Sequence, residues 1–426
     1  MAQPDTHVHG TPSAHERRIQ LHENGTGDSD LSLRGVRVAV LNFREPLQAV
    51  AGGAEEYAWQ VSRFLVREGA EVHFATSREP GQPAAERRDG IELRRMGNRY
   101  LVYLLVPLWL LFRRRSFDVV IDSMNGIPFF APLVVGRRTA VLSLIHHVHA
   151  RQFYAFFPRW LAAIGCFIEG PVARRVYRRC PTVTVSDSSK LEIRERLDWA
   201  APINVIPNGA SRVRREPVPA AEHGNVSLVF VGRLVGHKRV SRVVELAELL
   251  ADRWPGIQVH VVGRGPEFEP LAEMVRERAL GDRVVLHGFL DDRRKAAVLG
   301  SAILHVTASE FEGWGLTVIE AAILGVPTVA YDVPGLRDSV RDSVTGWLVR
   351  DGELLADVVD RALKQLSDPT ARAEIGAGCR AWAGSFTWER TGAAMTALLL
   401  GQLAEHEPRA GARRLVPEPR VSPETI

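Results

Sequence analysis

Apolar residues along this chain fall into short runs, separated by amphipathic stretches and by turns rich in glycine and proline. The first run, residues 36–41 (VRVAVL), is apolar almost throughout, which is the pattern of a strand buried on both faces. A glycine-bearing segment follows at 51–56, then an amphipathic helix over 57–68. Strand, glycine turn and helix in that order predict the opening unit of a doubly wound α/β domain, with the turn at the ligand-binding edge of the sheet. Further runs predict strands at 71–76, 91–94, 118–122, 139–145, 182–185 and 203–206. Residues 186–189 (SDSS) read as the N-cap of a helix over 190–197.

From 211 to 225 the chain is rich in Arg, Pro and Glu without apolar periodicity, the signature of an interdomain linker. The pattern then restarts. Strands are predicted at 226–231, 257–262, 284–287, 302–306, 328–331 and 346–349, with helices at 240–252, 293–299, 318–322, 353–366, 371–382 and 388–403. Asp291-Asp292 reads as a helix cap rather than a metal pair. The expected organisation is a disordered tail (1–33), an α/β domain (34–210), the linker (211–225), a second α/β domain (226–387), a last helix (388–404) and a charged tail (405–426). Two halves of similar size leave a cleft between them.

One run fits no strand. Residues 101–112 (LVYLLVPLWLLF) are too few for the ~20 that a spanning helix needs, and they read as a buried core helix. A membrane-surface helix stays open, because Trp109 stands beside Arg113, Arg114 and Arg115. At 426 residues the chain is long enough for two domains, and 46% apolar with 24% charged residues is a soluble, globular composition. The net charge of +4 is small for this length, and no nucleic-acid partner is expected. Cys166, Cys180 and Cys379 form no CxxC pair or disulfide framework, and no secretory signal is read at the N-terminus, so a reducing cytoplasm is expected.

The candidate chemistry centres on residues 309–335, SEFEGWGLTVIEAAILGVPTVAYDVPG. Glu312 and Glu320 stand eight positions apart with a Gly-Trp-Gly loop between them. A glycine turn running into a helix N-terminus offers unpaired N–H groups to an anion. Flanked by two carboxylates, such a loop suits a ligand carrying both phosphates and hydroxyls, as a nucleotide sugar does. His146, His147 and His149 follow a strand without a carboxylate or cysteine at a familiar metal spacing, so no metal is expected and a polar group facing the cleft is the better reading. Gly263-Arg264-Gly265-Pro266 lacks the third glycine of a dinucleotide fingerprint, so a nicotinamide cofactor is excluded.

Taken together these residues resemble the retaining glycosyltransferases of family 4 (glycosyl transferases group 1), with the two-Rossmann-domain architecture called GT-B. The resemblance spans roughly residues 35–403. It rests on Gly52-Gly53-Ala54-Glu55, on Gly232-Arg233-Leu234 with Lys238, on Gly263-Arg264-Gly265-Pro266, and on Glu312-Gly313-Trp314-Gly315-Leu316 with Glu320. Trp388-Glu389-Arg390 resembles the start of the family's final helix, which crosses back to the first domain.

The resemblance implies that Arg233 and Lys238 hold the donor diphosphate, neutralising charge as it leaves. Glu312 would contact the sugar hydroxyls, the backbone of Gly313, Trp314, Gly315 and Leu316 would lie beside the phosphates, and Glu320 would bind the ribose. His146, or His147 next to it, would face the transferred sugar. Gly53 would close on the donor from the first domain, with Gly52, Ser186, Asn208 and Gly263 nearby. Where many relatives carry a Gly-Gly pair and a glutamate, this chain has Pro334-Gly335-Leu336-Arg337-Asp338.

The implied reaction is metal-independent front-face transfer of a hexose from a UDP- or GDP-linked donor, with retention and no cofactor. A nucleotide-sugar epimerase is the alternative, and a non-catalytic sugar-nucleotide binder a third reading. The acceptor, a small metabolite or a lipid-linked sugar, stays open, as does a peripheral membrane contact through the first domain.

Overall fold

The computed structural model describes residues 33–48, 51–211 and 226–406. The expected N-terminal tail up to residue 32, all but the first residue of the linker and the segment after 406 lie outside the described residues.

In the first half, strands β1 (Arg37–Leu41), β2 (Glu71–Thr76), β3 (Ala85–Arg88), β4 (Ile91–Arg95), β5 (Val119–Ser123), β6 (Ala140–Leu144), β7 (Thr182–Thr184) and β8 (Ile203–Val205) form one sheet in the order β3-β4-β2-β1-β5-β6-β7-β8. All of its pairings are parallel except β3 with β4. In the second half, β9 (Val226–Val231), β10 (Ile257–Val262), β11 (Val284–Gly288), β12 (Leu304–Thr307), β13 (Thr328–Tyr331) and β14 (Gly346–Val349) form an all-parallel sheet ordered β11-β10-β9-β12-β13-β14.

Helices cover both faces, which is why the strands are apolar without alternation. In β1, Val38 and Val40 join the core layer under helix α1 (Gly53–Arg67), while Ala39 and Leu41 join the opposite layer. That opposite layer carries α2 (Val102–Phe112) and α5 (Asp187–Leu197), with Ala150 of α3 (Ala150–Phe156) packed against it; α4 (Arg159–Phe167) packs on α3 through Gly165 and Phe153. A π-helical turn, Ile168–Val172, follows α4. The second half carries α6 (Asp292–Ser301), α7 (Leu316–Ile323), α8 (Leu336–Ser339) and the closing helix α9 (Trp388–His406).

Two features differ from the sequence reading. Strand β3 was not expected, because its residues AERR are polar. It is an antiparallel edge strand, joined to β4 through Asp89 and Gly90, both at positive φ (53° and 79°), the geometry of a two-residue type I′ hairpin turn. The second difference is a correction: α2 is not a buried core helix. Val102, Val106 and Leu110, spaced four apart, face the sheet, while Leu101, Leu104, Leu108, Leu111 and Phe112 are exposed. A helix lying on one layer has one stripe to bury, and apolarity on its other faces stays outside.

Helix α9 returns from the second half to the first. Gly392 lets the Phe64 ring of α1 approach to 2.1 Å from where a β-carbon would stand. Thr391 Oγ1 donates to the Pro207 carbonyl at 2.8 Å, and the Gly209 backbone sits against Trp388. The helix therefore ties the two halves together.

Candidate active site

In each sheet the strand order reverses beside one central pair: β1 next to β5, and β9 next to β12. Loops leaving the carboxyl ends on either side of such a switch point diverge and open a crevice. The loops after β1, β6, β9 and β12 carry the Gly52-Gly53 turn, His146 and His147, Arg233 to Lys238, and Glu312 to Gly315. The expected residues thus face one cleft from both halves.

On the wall of the second half, Lys238 ends a short 3₁₀ turn and donates to Glu312 Oε1 at 2.5 Å. Both side chains are mostly buried, 13% and 21% exposed. Burial by itself pushes the Glu312 carboxyl upward, but Lys238, then His237 and His147, outweigh it and hold it below the usual range. The loop after Glu312 is held by Gly335, at φ +82°, where a β-carbon would stand 2.2 Å from the Glu312 carbonyl oxygen. Gly315, at φ +88°, is the N-cap of α7 and offers no side chain to its first N–H groups. The Trp314 indole packs edge-on to Phe386 at 4.9 Å and is buried, so only its backbone belongs to the loop. Glu320 lies further along α7. Its Oε1 meets Lys295 Nζ of α6 at 3.0 Å, its Oε2 has no hydrogen-bond partner among the described residues, and burial pushes the carboxyl upward against the pull of Lys295. Gly263 brings the loop after β10 against the Gly232 carbonyl, 1.8 Å from where a β-carbon would stand.

On the opposite wall Gly52 caps α1, its N–H donating to Glu55 Oε2 at 2.8 Å. A β-carbon on Gly52 would stand 3.5 Å from Arg233 Nε of the other half. Glu55 Oε1 also faces Arg44 at 3.8 Å. Burial holds the Arg44 guanidinium below its ordinary value, with Glu55 opposing and the like charge of Arg233 adding to it. Two guanidinium groups from different halves therefore converge on one glycine turn. Gly53 has open space around it, and its carbonyl accepts from Asn208 Nδ2 at 3.4 Å.

The neighbouring histidines part company at the end of β6. The His146 ring is buried edge-on to Tyr57 at 5.2 Å, and burial pushes it down to about 3. Its carbonyl lies 2.9 Å from where a Gly313 β-carbon would stand and accepts from Ser189 Oγ. The His147 ring is less buried, contacts Gln152 Nε2 at 2.9 Å, stacks on His149 at 4.1 Å and feels the charge of Glu312 across the cleft. His149 meets Glu169 of the π-helical turn, which accepts from its backbone N–H (2.7 Å) and contacts its Nδ1 (3.1 Å). Burial pushes Glu169 up to about 8 and His149 down to about 4, so this pair is held neutral. Ser186 serves as the N-cap of α5, accepting from the Ser189 N–H at 3.0 Å. The walls touch where Ser189 Oγ donates to the Gly313 carbonyl (3.2 Å) and the Ser188 N–H to Asp338 (3.0 Å).

The model of the family Glycosyl transferases group 1 matches residues 214–380, and that of Glycosyltransferase Family 4 matches residues 51–214. The chain belongs to the family 4 type of glycosyltransferases. It is 28% identical over 397 residues to D-inositol 3-phosphate glycosyltransferase of Arthrobacter sp. (strain FB24), a match covering 84% of this chain and 93% of that one. It is 30% identical to poly(ribitol-phosphate) alpha-N-acetylglucosaminyltransferase of Staphylococcus aureus (strain COL), over 35% of this chain and 30% of that one. Among solved structures, sucrose-phosphate synthase from Thermosynechococcus elongatus superposes with a TM-score of 0.72 at 20% identity, covering 87% of this chain and 100% of that one. This likeness fixes the fold as GT-B. The family matches favour sugar transfer over epimerisation.

In this glycosyltransferase, sequence reasoning missed Arg44, Lys295, Glu169 and the part played by Glu55. Glu55 was legible, because a Glu three places after a helix cap is a capping-box spacing. The other three carry no local signal; each is defined by a partner distant in sequence. Among the described residues no group of three or more His, Cys, Asp or Glu is arranged to hold a metal. A pocket of about 670 Å³ bounded by Gln60, Arg63, Arg67, Trp388 and Glu389 lies between α1 and α9, behind the cleft, and holds none of the expected site residues.

Proposed function

We propose that this glycosyltransferase moves a hexose from a UDP- or GDP-linked donor to an acceptor hydroxyl, with retention and without a metal or cofactor. The observation that carries this reading is the cationic crevice at the second half's switch point. Lys238 and Arg233 stand there with the uncapped start of α7, and Glu312 holds Lys238 in place. A departing nucleoside diphosphate develops negative charge, and preorganised cations and N–H groups aimed at it lower the barrier. Arg44 and Gly52 close on the same phosphates from the first half.

Glu312 binds sugar hydroxyls through the oxygen that Lys238 leaves free, and the unpartnered Oε2 of Glu320 receives the ribose hydroxyls. His147, rather than the buried His146, faces the sugar, since its ring feels Glu312 across the cleft. With no carboxylate proposed as nucleophile, the acceptor hydroxyl attacks on the leaving-group side and passes its proton to a donor phosphate oxygen. The protein supplies orientation and charge. The acceptor, a small metabolite or a lipid-linked sugar, binds in the first half. The three free cysteines suit a reducing cytoplasm.

A thermal-shift panel of nucleoside diphosphates and nucleotide sugars tests the donor site, since a ligand stabilises in proportion to occupancy. NMR of the product's anomeric proton reads retention, and transfer that persists in excess chelator supports metal independence. Product formed from donor alone, without an acceptor, would instead support epimerisation.

A further inference from the structure

Sugar transfer leaves two apolar segments of the first half without a role. Of the twenty large apolar side chains that the described residues expose, thirteen lie between residues 100 and 167. Helix α4 is turned inside out. Its small residues Ala162 and Gly165 face inward, with the Phe153 ring 2.9 Å from where a Gly165 β-carbon would stand. Trp160, Ile164 and Phe167, at positions i, i+4 and i+7, face solvent at 68%, 47% and 60% exposure. A helix on a soluble domain does the reverse. Helix α2 repeats the arrangement with Leu104, Leu108 and Phe112 outward. Both helices lie on the same side of the sheet, since α2 and Val148, Ala173 and Tyr177, which flank the α3–α4 hairpin, share one core layer.

Charge is concentrated in the same segment. Residues 97–180 contain twelve arginines and no lysine, against three acids, Asp118, Asp122 and Glu169. Asp122 and Glu169 are fully buried. The segment thus has an excess of nine positive charges where the whole chain has +4, so the remainder is net negative. Arg113, Arg114 and Arg115 at the end of α2 and Arg159 at the start of α4 are exposed beside the apolar side chains. Aromatic and aliphatic side chains rimmed by arginine suit the boundary between headgroups and acyl chains of an anionic bilayer. Among the described residues no helix is long and apolar enough to cross one.

We propose that this face, formed by α2 and α4, docks on the surface of an anionic lipid bilayer. Trp160, Ile164, Phe167 and the leucines of α2 enter the interface, and the arginines meet lipid phosphates. The far end of α4 runs into the turn that holds Glu169 against His149, beside His147 on the cleft wall. Docking therefore brings the acceptor half of the cleft to the lipid surface, and the acceptor class that fits is a sugar or polyol carried on a lipid. That last step rests on the cleft assignment above; the docking itself does not.

The test is co-sedimentation of the full chain with phosphatidylcholine vesicles, with and without phosphatidylglycerol. The wild type should sediment with the phosphatidylglycerol vesicles and be released by salt. The double substitution Trp160→Ser with Phe167→Ser, both at exposed positions, should lower partitioning about tenfold or more. Replacing Arg113, Arg114 and Arg115 by Ser should lower it by roughly fivefold per residue, on anionic vesicles only. Equal partitioning of wild type and the Trp160/Phe167 variant overturns the proposal. So does a wild type that ignores vesicles and forms a dimer broken by Trp160→Ser, which would make this a face between copies. Thermal shifts by UDP and GDP should be unchanged in these variants. Their absence in the wild type would remove the donor reading and leave the docking result standing.

Discussion

Removing the Lys238 ammonium tests the cleft at its most strongly coupled point. With the lysine 13% and the glutamate 21% exposed, both charges are largely out of water and meet at 2.5 Å. Breaking a buried ion pair from one side costs about 3–5 kcal/mol, because the remaining charge is stranded. The site is partly open, so the stranded carboxylate keeps some water, which brings the expected loss for Lys238→Met to about 2–3 kcal/mol at neutral pH. The sign of the pH dependence follows from the lowered carboxyl. In the wild type, the pair's contribution is present above the unfolded value of about 4.5 and is lost as pH falls through the lower folded value. In Lys238→Met burial acts with its main opponent gone, so Glu312 moves up and the penalty grows as pH rises from about 4.5.

The assay is a double-mutant cycle by denaturant unfolding, using the wild type, Lys238→Met, Glu312→Gln and the double variant. A coupling of about 1–3 kcal/mol is expected at neutral pH, shrinking toward zero in acid. Turnover in Lys238→Met should fall by about two to three orders of magnitude, as when a single stabiliser of developing charge is lost. Additive single substitutions at neutral pH, or wild-type turnover without the lysine, would refute the reasoning.

Other predictions concern the same walls. Glu169, pushed up to about 8 by burial, prefers its proton in the folded state, so its contribution declines as pH rises from about 4.5 to about 8. At about 1.4 kcal/mol per unit, the decline reaches about 4–5 kcal/mol. Glu169→Gln should flatten that slope in urea midpoints measured across the range, and an unchanged slope contradicts the assignment. Buried His146 and His305, both pushed down to about 3, take up protons only on unfolding, so stability should fall as pH drops below about 6.5. A melting temperature that stays flat from neutrality to about pH 5 argues against this. Gly335→Ala places a β-carbon 2.2 Å from the Glu312 carbonyl at φ +82° and should cost about 2 kcal/mol or more while misplacing the Glu312 loop. Gly53→Ala, with nothing within 4 Å, should leave the melting temperature nearly unchanged. Equal effects of the two glycine substitutions on melting temperature and kcat/KM would contradict this contrast.

Local pattern determined most of the framework. A short apolar run without alternation, bounded by turn residues, reads as a strand covered on both faces, so the parallel strands, the glycine turns at their ends and the cap at Asp291 could be read from neighbouring residues alone. Strand β3 escaped because its polar residues gain their order from the β4 hydrogen-bond ladder, and α2 because apolarity along a helix says nothing about how many layers meet it.

The site divides in the same way. Glu312, Glu320, Arg233 and Lys238 stood out by spacing after strands. That Lys238 pairs with a carboxylate 74 positions away depended on β9 and β12 lying side by side, and that Lys295 pairs with Glu320 25 away depended on α6 packing against α7. His146 and His147 are indistinguishable in sequence. Successive residues at a strand end point to opposite sides, and only the packed sheet decides that one ring goes under Tyr57 and the other toward the cleft. Sequence sets what each segment can become, because periodicity and turn chemistry act over a few residues. Charges in a cleft acquire partners, burial and shifted protonation only when strands distant in sequence become neighbours.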